Sequence, residues 1–542
     1  MKTRPGNISL RVAHHADHPA GARLAGCITH AADSARTAGT THAADNARAA
    51  GTTHAAGKTF PAACLRATGR FVPLLLAAAL LAGCAAPAGT ASASPAASTA
   101  SATPAPTPAA TPAPTPTPEP TPAIKEITVT VDATKRYQQF LGFGGNYTQV
   151  QYTEKAQDAI GQYTLENLHP EWVRIPVPLD MWEPVNDNGK ADVMDMKGFQ
   201  TEDPRLVELF ELVKRMRAEY GVKNITASVW KVASWMIGEK EGFGGIIPTE
   251  LYAEVAESMT AFLVHLRDRY GVTIDQIGFN EPDIGTYVKM NPNQMIAFVK
   301  VIGPMMKQAG LETKWLIGDV SQPSPTVLFA EALLGDPDIR EYLGPVSAHS
   351  WNTSTMSDTL LSTIRDFMVK SGKPLIIGEF GYNPGLWKTP AEFPTWQNAW
   401  FIANLIHRTV KFTGASVILY WELQNDYPLM SLELEPYPAW YVYKQAFDTL
   451  KPGVTIVDCK SADETIVTGY AAADEAGYFT AQLLNRKGSP VRVVLKGVPD
   501  GTLKAYVTAE GRNQEDGGVW QAENGTVTLE LPPKCMFSLY TP

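Results

Sequence analysis

The sequence predicts an α/β protein in which a (β/α)8 barrel is followed by a smaller β-sandwich domain. Three observations lead to this fold class. Between residues 140 and 452, short apolar segments typical of buried parallel strands alternate eight times with amphipathic helical segments. From residue 453 the pattern changes to short alternating strands separated by Gly, Asp and Asn turns. The chain of 542 residues is long enough for a barrel of about 250 residues or more and a further module.

The barrel prediction depends on eight strand-like segments. They span 140–145, 172–177, 225–230, 274–280, 314–318, 346–349, 375–379 and 417–421. Helical segments between them, such as 204–220, 249–270, 294–309, 360–370 and 399–412, are each followed within two residues by a glycine, a common helix stop. An open doubly wound sheet is the competing fold, but the stretch from Phe143 to Thr148 lacks the spacing of the phosphate-binding loop expected there.

The last 90 residues predict an all-β module. Strand-like segments lie at 465–470, 478–484, 491–495, 502–508 and 527–531. Ile127, Val129 and Val131 alternate with polar residues, so residues 124–139 are expected to add a strand to the sandwich of residues 453–542. Cys459 and Cys535 both lie in this module. A disulfide between them is permitted in an exported protein, and two separate buried thiols are the alternative.

The first 123 residues are not expected to belong to the fold. Residues 1–64 are of low complexity, with an approximate 12-residue repeat and few large apolar side chains, and we expect a wrongly assigned start. Residues 65–84 resemble a bacterial lipoprotein signal that ends at a lipidated Cys84, with an ordinary secretory signal as the alternative. Residues 85–123 are a Pro-, Thr- and Ala-rich spacer. The predicted location is therefore outside the cytoplasm, with the lipid anchor as the membrane contact.

Charge and histidine content limit the ligands that the folded part is expected to bind. The formal net charge is −9, and since residues 1–84 carry +6, the rest of the chain carries −15, which argues against nucleic acid as a partner. We expect a monomer. We also expect neither cofactor nor metal, because the four histidines after residue 123 are not at ligand spacing. The segment 186–189, Asn-Asp-Asn-Gly, is similar to part of a calcium loop but lacks its terminal acidic residue, so a solvated turn is predicted.

Two glutamates are the candidate catalytic residues. Glu281 directly follows the fourth predicted barrel strand, and Glu379 ends the seventh. Because the strands of such a barrel are parallel, both side chains are expected at its C-terminal mouth, where active sites of this fold lie. Two facing carboxylates at this position are the minimal equipment for cleaving a glycosidic bond. The sequence therefore predicts a glycosidase with Glu281 as acid/base and Glu379 as nucleophile.

Several short motifs, in this order along the strands, make residues 126–540 resemble a known family. The motifs are Gly142-Phe143-Gly144-Gly145, Val173-Arg174-Ile175-Pro176, Ala227-Ser228-Val229-Trp230, Trp235-Met236, Asn280-Glu281-Pro282, His349-Ser350-Trp351, Glu379 and Tyr420-Trp421. The chain is similar to the retaining β-glycosidases of clan A, and most to glycoside hydrolase family 30, which includes glucosylceramidases, endo-β-1,6-glucanases and xylanases. This resemblance implies a barrel with a side β-sandwich.

The resemblance also implies roles for individual residues. Arg174 would lie beside Glu379 and keep it ionised, and Asn280 would bind the sugar 2-hydroxyl. The substrate would further contact Asp180, Trp230, His349 and Trp421. Two positions depart from the family pattern. Trp351 stands where a tyrosine commonly donates its hydroxyl to the nucleophile, so the indole N–H would have to take that role, and Val229 replaces a proline.

These inferences predict an exported, lipid-anchored retaining β-glycosidase that hydrolyses glucan- or xylan-type polysaccharides or oligosaccharides by double displacement. One alternative is a non-catalytic carbohydrate-binding protein of the cell envelope. Another is a clan A glycosidase of a different family, such as a β-mannanase or a β-xylosidase. The presence of both glutamates together with Asn280 and Arg174 favours the enzyme.

Overall fold

The computed structural model describes residues 124–148, 158–238, 244–424 and 427–542. The predicted low-complexity region 1–64, the lipoprotein signal 65–84 with Cys84, and the spacer 85–123 lie outside the described residues. Among the described residues, no helix combines the length and the apolar character needed to cross a lipid bilayer.

Eight parallel strands form a closed barrel, which confirms the predicted fold class. Each is a short apolar run that is buried almost throughout, as expected where helices cover the outside of a parallel sheet. The strands are β2 (Gly142–Asn146), β3 (Trp172–Pro176), β4 (Asn224–Val229), β5 (Gln276–Phe279), β6 (Lys314–Val320), β7 (Leu343–Ala348), β8 (Leu375–Phe380) and β9 (Ala415–Tyr420). The fifth barrel strand, β6, runs two residues beyond its predicted end at Gly318.

Helices follow every barrel strand and bury their apolar faces against the barrel in one continuous core. They are α1 (Asp158–Leu168), α2 (Leu179–Trp182), α3 (Pro204–Ala218), α4 (Ser234–Ile237), α5 (Tyr252–Tyr270), α6 (Pro292–Gln308), α7 (Thr326–Gly335), α8 (Asp358–Ser371), α9 (Trp396–Arg408) and α10 (Pro438–Thr449). The short α2 and α4 lie within the loops after β3 and β4. The start of α6 is fixed by a capping box, in which Asn291 and Gln294 bond each other's backbone N–H groups.

The remaining nine strands form one sheet that folds back on itself beside the barrel. They are β1 (Lys125–Gln139), β10 (Thr455–Ser461), β11 (Val467–Ala473), β12 (Phe479–Asn485), β13 (Val491–Lys496), β14 (Gly501–Ala509), β15 (Arg512–Ala522), β16 (Thr526–Leu531) and β17 (Cys535–Tyr540). Their order is β15-β14-β17-β12-β11-β10-β1-β13-β16. If the sheet were flat, its edge strands β15 and β16 would lie about 38 Å apart. Only residues 523–525 connect these two strands, so the sheet must curve into two layers around a core of its own.

The N-terminal strand β1 belongs to this side sheet. It pairs antiparallel with β10 and parallel with β13, and its residues Ile127, Val129 and Val131 are buried in the side-sheet core. The barrel helix α10 holds the sheet through Gln445, whose amide donates to the Met536 carbonyl at 3.2 Å and to the Ser538 hydroxyl at 3.0 Å. Both ends of the described chain are thereby tied to one side of the barrel.

The disulfide considered between Cys459 and Cys535 is not formed. Both residues are buried free thiols. Cys459 lies on β10 and Cys535 on β17, and the strands β11 and β12 stand between them in the sheet. Three strand spacings amount to about 14 Å, which is more than twice the usual separation of bridged Cα atoms. The structure therefore corrects this prediction in favour of separate thiols.

Candidate active site

The C-terminal ends of the barrel strands bring the predicted site residues together. Arg174 lies on β3, Asn280 and Glu281 directly follow β5, and Glu379 lies on β8. Because all eight strands are parallel, these ends meet at a single mouth. Glu281 has a φ of +45°, a left-handed backbone conformation that is costly for a residue with a side chain.

The Arg174 guanidinium is the centre of this mouth. Its side chain is 0% exposed. It donates to Glu379 Oε1 at 3.0 Å and to Asp319 Oδ2 at 2.8 Å, so that one cation is paired with two buried carboxylates. Further bonds run to Asn280 Oδ1 at 2.6 Å and Asn146 Oδ1 at 3.0 Å. The fork of the guanidinium thus fixes the orientation of the Glu379 carboxylate and of the Asn280 amide.

Asp319 is a buried carboxylate of the site that the sequence analysis missed. It follows the apolar run of β6, and its two oxygens accept hydrogen bonds at 2.6 Å from Ser228 and Ser347. Burial alone would raise the pKa of Asp319, but the charges of Arg174 and His349 and these hydrogen bonds hold it well below the usual range. The signal was present, since a carboxylate after an apolar strand is what identified Glu281 and Glu379. Asp319 directly follows Gly318, the last residue of the predicted strand.

His349 lies between three carboxylates. Its Nδ1 is 3.0 Å from Glu281 Oε1 and 3.3 Å from Glu379 Oε2, and its Nε2 is 3.4 Å from Asp319 Oδ1. Burial lowers the pKa of the imidazole, yet the charge of Glu379 and the bonds to Asp319 and Glu281 outweigh burial and raise it to about 10. At neutral pH the ring is therefore a cation. Glu281, His349 and Glu379 also have the spacing of metal ligands, and an ion there would have to displace the proton of the imidazole.

The two glutamates face each other across a short gap. One carboxylate oxygen of Glu281, one of Glu379 and a His349 ring nitrogen all lie within 4.8 Å of one another. Glu281 Oε2 accepts from the Thr286 hydroxyl at 2.6 Å, and Glu379 Oε2 accepts from the indole N–H of Trp351 at 3.2 Å. The indole thus makes the contact expected for it in place of a tyrosine hydroxyl. The oxygen spacing is compatible with the carboxyl separation of about 5–5.5 Å found in retaining glycosidases.

Above the glutamates lies a cavity of about 530 Å³. Among its walls are the indole rings of Trp351, Trp387 and Trp421, the ring of Tyr427 and the carboxylate of Glu422. Flat aromatic faces next to carboxylates suit a sugar ring, which has apolar faces and a polar edge. The site can therefore accept a neutral, ring-shaped, hydroxylated ligand directly above the two glutamates.

Two predicted contact residues are placed differently from the rest. Trp230 is 1% exposed, and the Arg174 guanidinium lies over its ring at 4.3 Å, so this indole mainly supports the cation from below. Trp230 is nevertheless part of the cavity wall, and the partly exposed Trp421, whose ring centre is 5.7 Å from that of Trp230, lines the cavity as well. Asp180 lies in α2 and is not among the residues that line the cavity. Asp180 is therefore not part of the cavity wall, and the helix that carries it packs through Trp182 on Phe210 of α3 and Phe262 of α5.

No protein-family model matches the chain, and no curated protein matches it by sequence. Solved structures match its fold. A glycoside hydrolase family 30 endoxylanase from Clostridium papyrosolvens is 18% identical with a TM-score of 0.60, over 76% of this chain and 99% of that one. The catalytic domain of xylanase C of the same family, from Talaromyces cellulolyticus, is 18% identical with a TM-score of 0.62, over 76% of this chain and 99% of that one. An endo-β-1,6-glucanase is 14% identical with a TM-score of 0.55, over 76% of this chain and 93% of that one. The chain thus has the fold of family 30 structures.

Removing the central cation should destabilise the fold. We expect Arg174→Met to lower the free energy of unfolding by about 3–5 kcal/mol, because Asp319 and Glu379 would remain buried without their counter-ion. Arg136→Met, which removes a largely exposed arginine paired with Glu475, is the control and should change it by less than about 1 kcal/mol. Urea unfolding measures both. Equal effects of the two substitutions would contradict the role given to Arg174.

His349 should make stability depend on pH. Its pKa in the fold, about 10, lies above the value of about 6.5 in an unfolded chain. The stabilisation is then complete below about pH 6.5 and is lost as the pH rises towards 10. We expect the difference in unfolding free energy between the native protein and His349→Gln to shrink by up to about 1.4 kcal/mol per pH unit over this interval. Urea unfolding at pH 6, 7, 8 and 9 measures it, and a pH-independent difference would show that the buried ring is neutral.

Proposed function

We propose that this protein is a retaining β-glycosidase that hydrolyses neutral β-linked glycans, with Glu281 as acid/base and Glu379 as nucleophile. The observation that carries the proposal is the pair of carboxylates whose oxygens lie within 4.8 Å at the mouth of the barrel. The fold shared with family 30 structures supports it.

The reaction would proceed in two displacements. In the first, Glu281 gives its proton to the glycosidic oxygen while Glu379 attacks the anomeric carbon, so that the leaving sugar departs as an alcohol and a glycosyl ester forms. In the second, Glu281 takes a proton from water, and the resulting hydroxide displaces Glu379. Each step inverts the anomeric carbon, and the product retains the configuration of the substrate.

Hydrogen bonding supports this assignment of roles. Both oxygens of Glu379 face groups that can only donate, the Arg174 guanidinium and the Trp351 indole N–H, and such partners favour a carboxylate over an acid. Glu281 Oε1 faces the His349 cation at 3.0 Å, but its other oxygen has the Thr286 hydroxyl beside it, which can turn and accept a hydrogen bond from the protonated acid. In the free protein the pKa directions oppose these roles. Burial raises the pKa of Glu379, whereas His349 outweighs burial and lowers that of Glu281. The reverse assignment is therefore a distinct outcome of the experiment below.

The walls of the cavity support a neutral substrate. Among the described residues that line it there is no lysine, arginine or histidine, while Glu281, Glu379 and Glu422 are all acidic. Such a surface would repel uronic acids and other anionic sugars. Glucan- and xylan-type polysaccharides or their oligosaccharides, which carry no charge, fit the acidic and aromatic lining.

Chemical rescue tests both roles. On an aryl β-glycoside with an activated leaving group, Glu379→Gly should lose hydrolysis, and azide should restore turnover with an α-glycosyl azide as product, since azide replaces the nucleophile from the opposite face. Glu281→Ala should cleave this substrate far better than a natural glycan, on which the rate should fall by roughly 10²–10⁴. With azide it should give the β-glycosyl azide. Glu530→Gln, an exposed change in the side sheet, should leave all rates unchanged.

The same experiment separates the alternatives. If the two variants exchange their azide products, the roles of Glu281 and Glu379 are reversed. If the native protein cleaves none of a panel of neutral β-glucans, β-xylans and β-mannans but binds one of them, it is a carbohydrate-binding protein. Cleavage of β-mannan or of short xylosides alone would support a clan A glycosidase of another substrate class.

The sequence supports an exported lipoprotein anchored at Cys84, with the catalytic part carried on the spacer of residues 85–123. A fatty-acid label should enter the protein in bacterial cells. Replacing the lipidated residue, Cys84→Ser, should abolish the labelling. Labelling that persists in this variant would contradict the anchor.

A further inference from the structure

A second group of acidic side chains lies away from the two glutamates, where the loop after β3 packs against helix α5. Asp187 comes from the loop, and Glu254 and Glu257 come from α5. We call these three residues the acidic cluster. Glu254 and Glu257 are three residues apart, so they lie on the same face of the helix. One carboxylate oxygen of each member lies within 4.8 Å of the others.

The cluster is held in place by the loop itself. Asn186 donates from its amide to Glu254 Oε2 at 3.1 Å, which ties the loop to the helix. The backbone N–H of Asp187 donates to Glu183 Oε1 at 3.0 Å, and Gly189 donates to Asn186 Oδ1 at 2.6 Å. These bonds fix the turn and leave the Asp187 carboxylate directed at the two glutamates of α5.

The cluster contains buried oxygens without partners. Glu257 is only 2% exposed, and its Oε1 has no hydrogen bond. Asp187 Oδ1 is likewise buried without a donor. Among the residues that the structure describes, no lysine, arginine or histidine forms an ion pair with the three carboxylates. Leaving such groups uncompensated is costly, so the arrangement calls for a positive charge at its centre.

We propose that Asp187, Glu254 and Glu257 bind a calcium ion. The donors are all carboxylate oxygens, which suit hard cations. Calcium–oxygen distances of about 2.3–2.6 Å place opposite ligands about 4.6–5.2 Å apart, and the three oxygens lie within 4.8 Å of one another. Calcium accepts an irregular set of carboxylate ligands, whereas magnesium demands a near-octahedral one. The segment 186–189 alone lacks the acidic residue that closes a calcium loop, and α5 supplies that carboxylate from a distant part of the chain.

The ion would join two neighbouring βα units on the catalytic side of the barrel. The loop after β3 is already linked to the next unit, because the Trp235 indole donates to the Glu183 carbonyl at 2.9 Å and the Trp182 indole donates to the Ser258 carbonyl at 3.1 Å. A bound cation adds a third, ionic link between this loop and α5. Its role is structural, and it is independent of the proposed hydrolysis.

Calcium binding to the full chain, freed of metal with a chelator, tests the proposal. Titration calorimetry should detect one calcium ion per chain, and calcium should raise the midpoint of thermal unfolding. Glu257→Gln should weaken binding at least roughly tenfold and remove the calcium-dependent shift. Glu250→Gln is the matched control, because this exposed glutamate makes the same charge change four residues before Glu254 and should keep both effects.

Three results would overturn the proposal. The first is a native protein that takes up no calcium and shows no shift. The second is undiminished binding by both Glu257→Gln and Asp187→Asn, the latter a partly exposed loop position that keeps the test valid if the helix variant does not fold. The third is an equal shift with magnesium at the same concentration, which would contradict the choice of calcium. None of these readouts uses a glycan, so failure here leaves the proposed glycosidase untouched.

Discussion

The buried guanidinium of Arg174 is the interaction on which the candidate active site depends. A charge with 0% exposure is tolerable only because Asp319 and Glu379 neutralise it and several amide and hydroxyl oxygens surround it. The same bonds dictate where Glu379 and Asn280 point. The geometry around Glu379, the proposed nucleophile, is therefore set by the requirement that a buried cation be satisfied.

His349 is a second cation of the site and contributes to its net charge. The positive groups of this centre are Arg174 and His349, and its three carboxylates are those of Asp319, Glu281 and Glu379. When all three carboxylates are ionised, the centre carries one excess negative charge. One proton shared by the two glutamates brings the centre to neutrality. Asp319, held strongly acidic, does not compete for it. A pair of glutamates with one proton between them is the state from which acid and nucleophile can act together.

The sequence predicted the parts of the site that lie on the strands. Buried parallel strands are continuous apolar runs with abrupt ends, so Glu281 and Glu379 could be placed at the mouth without coordinates, whereas Arg174 was assigned to the site through the resemblance to family 30. Asp180 could not be placed, because the path of α2 depends on packing rather than on its distance from Arg174 along the chain. Strand β15 was missed because it is a largely exposed edge strand with little apolar alternation. The acidic cluster joins residues about 70 positions apart, which no local pattern reveals.

The parallel pairing of β1 with β13 has a consequence for the biosynthesis of this chain. Lys125 pairs with Val491, so 366 residues separate the two partners. At a translation rate of about 5–20 residues per second, the first strand emerges roughly 20–70 seconds before its partner exists. During that interval its apolar face and its backbone donors and acceptors have nothing to bind within the side sheet. The whole barrel sequence therefore lies between two strands that cannot pair until synthesis is almost complete.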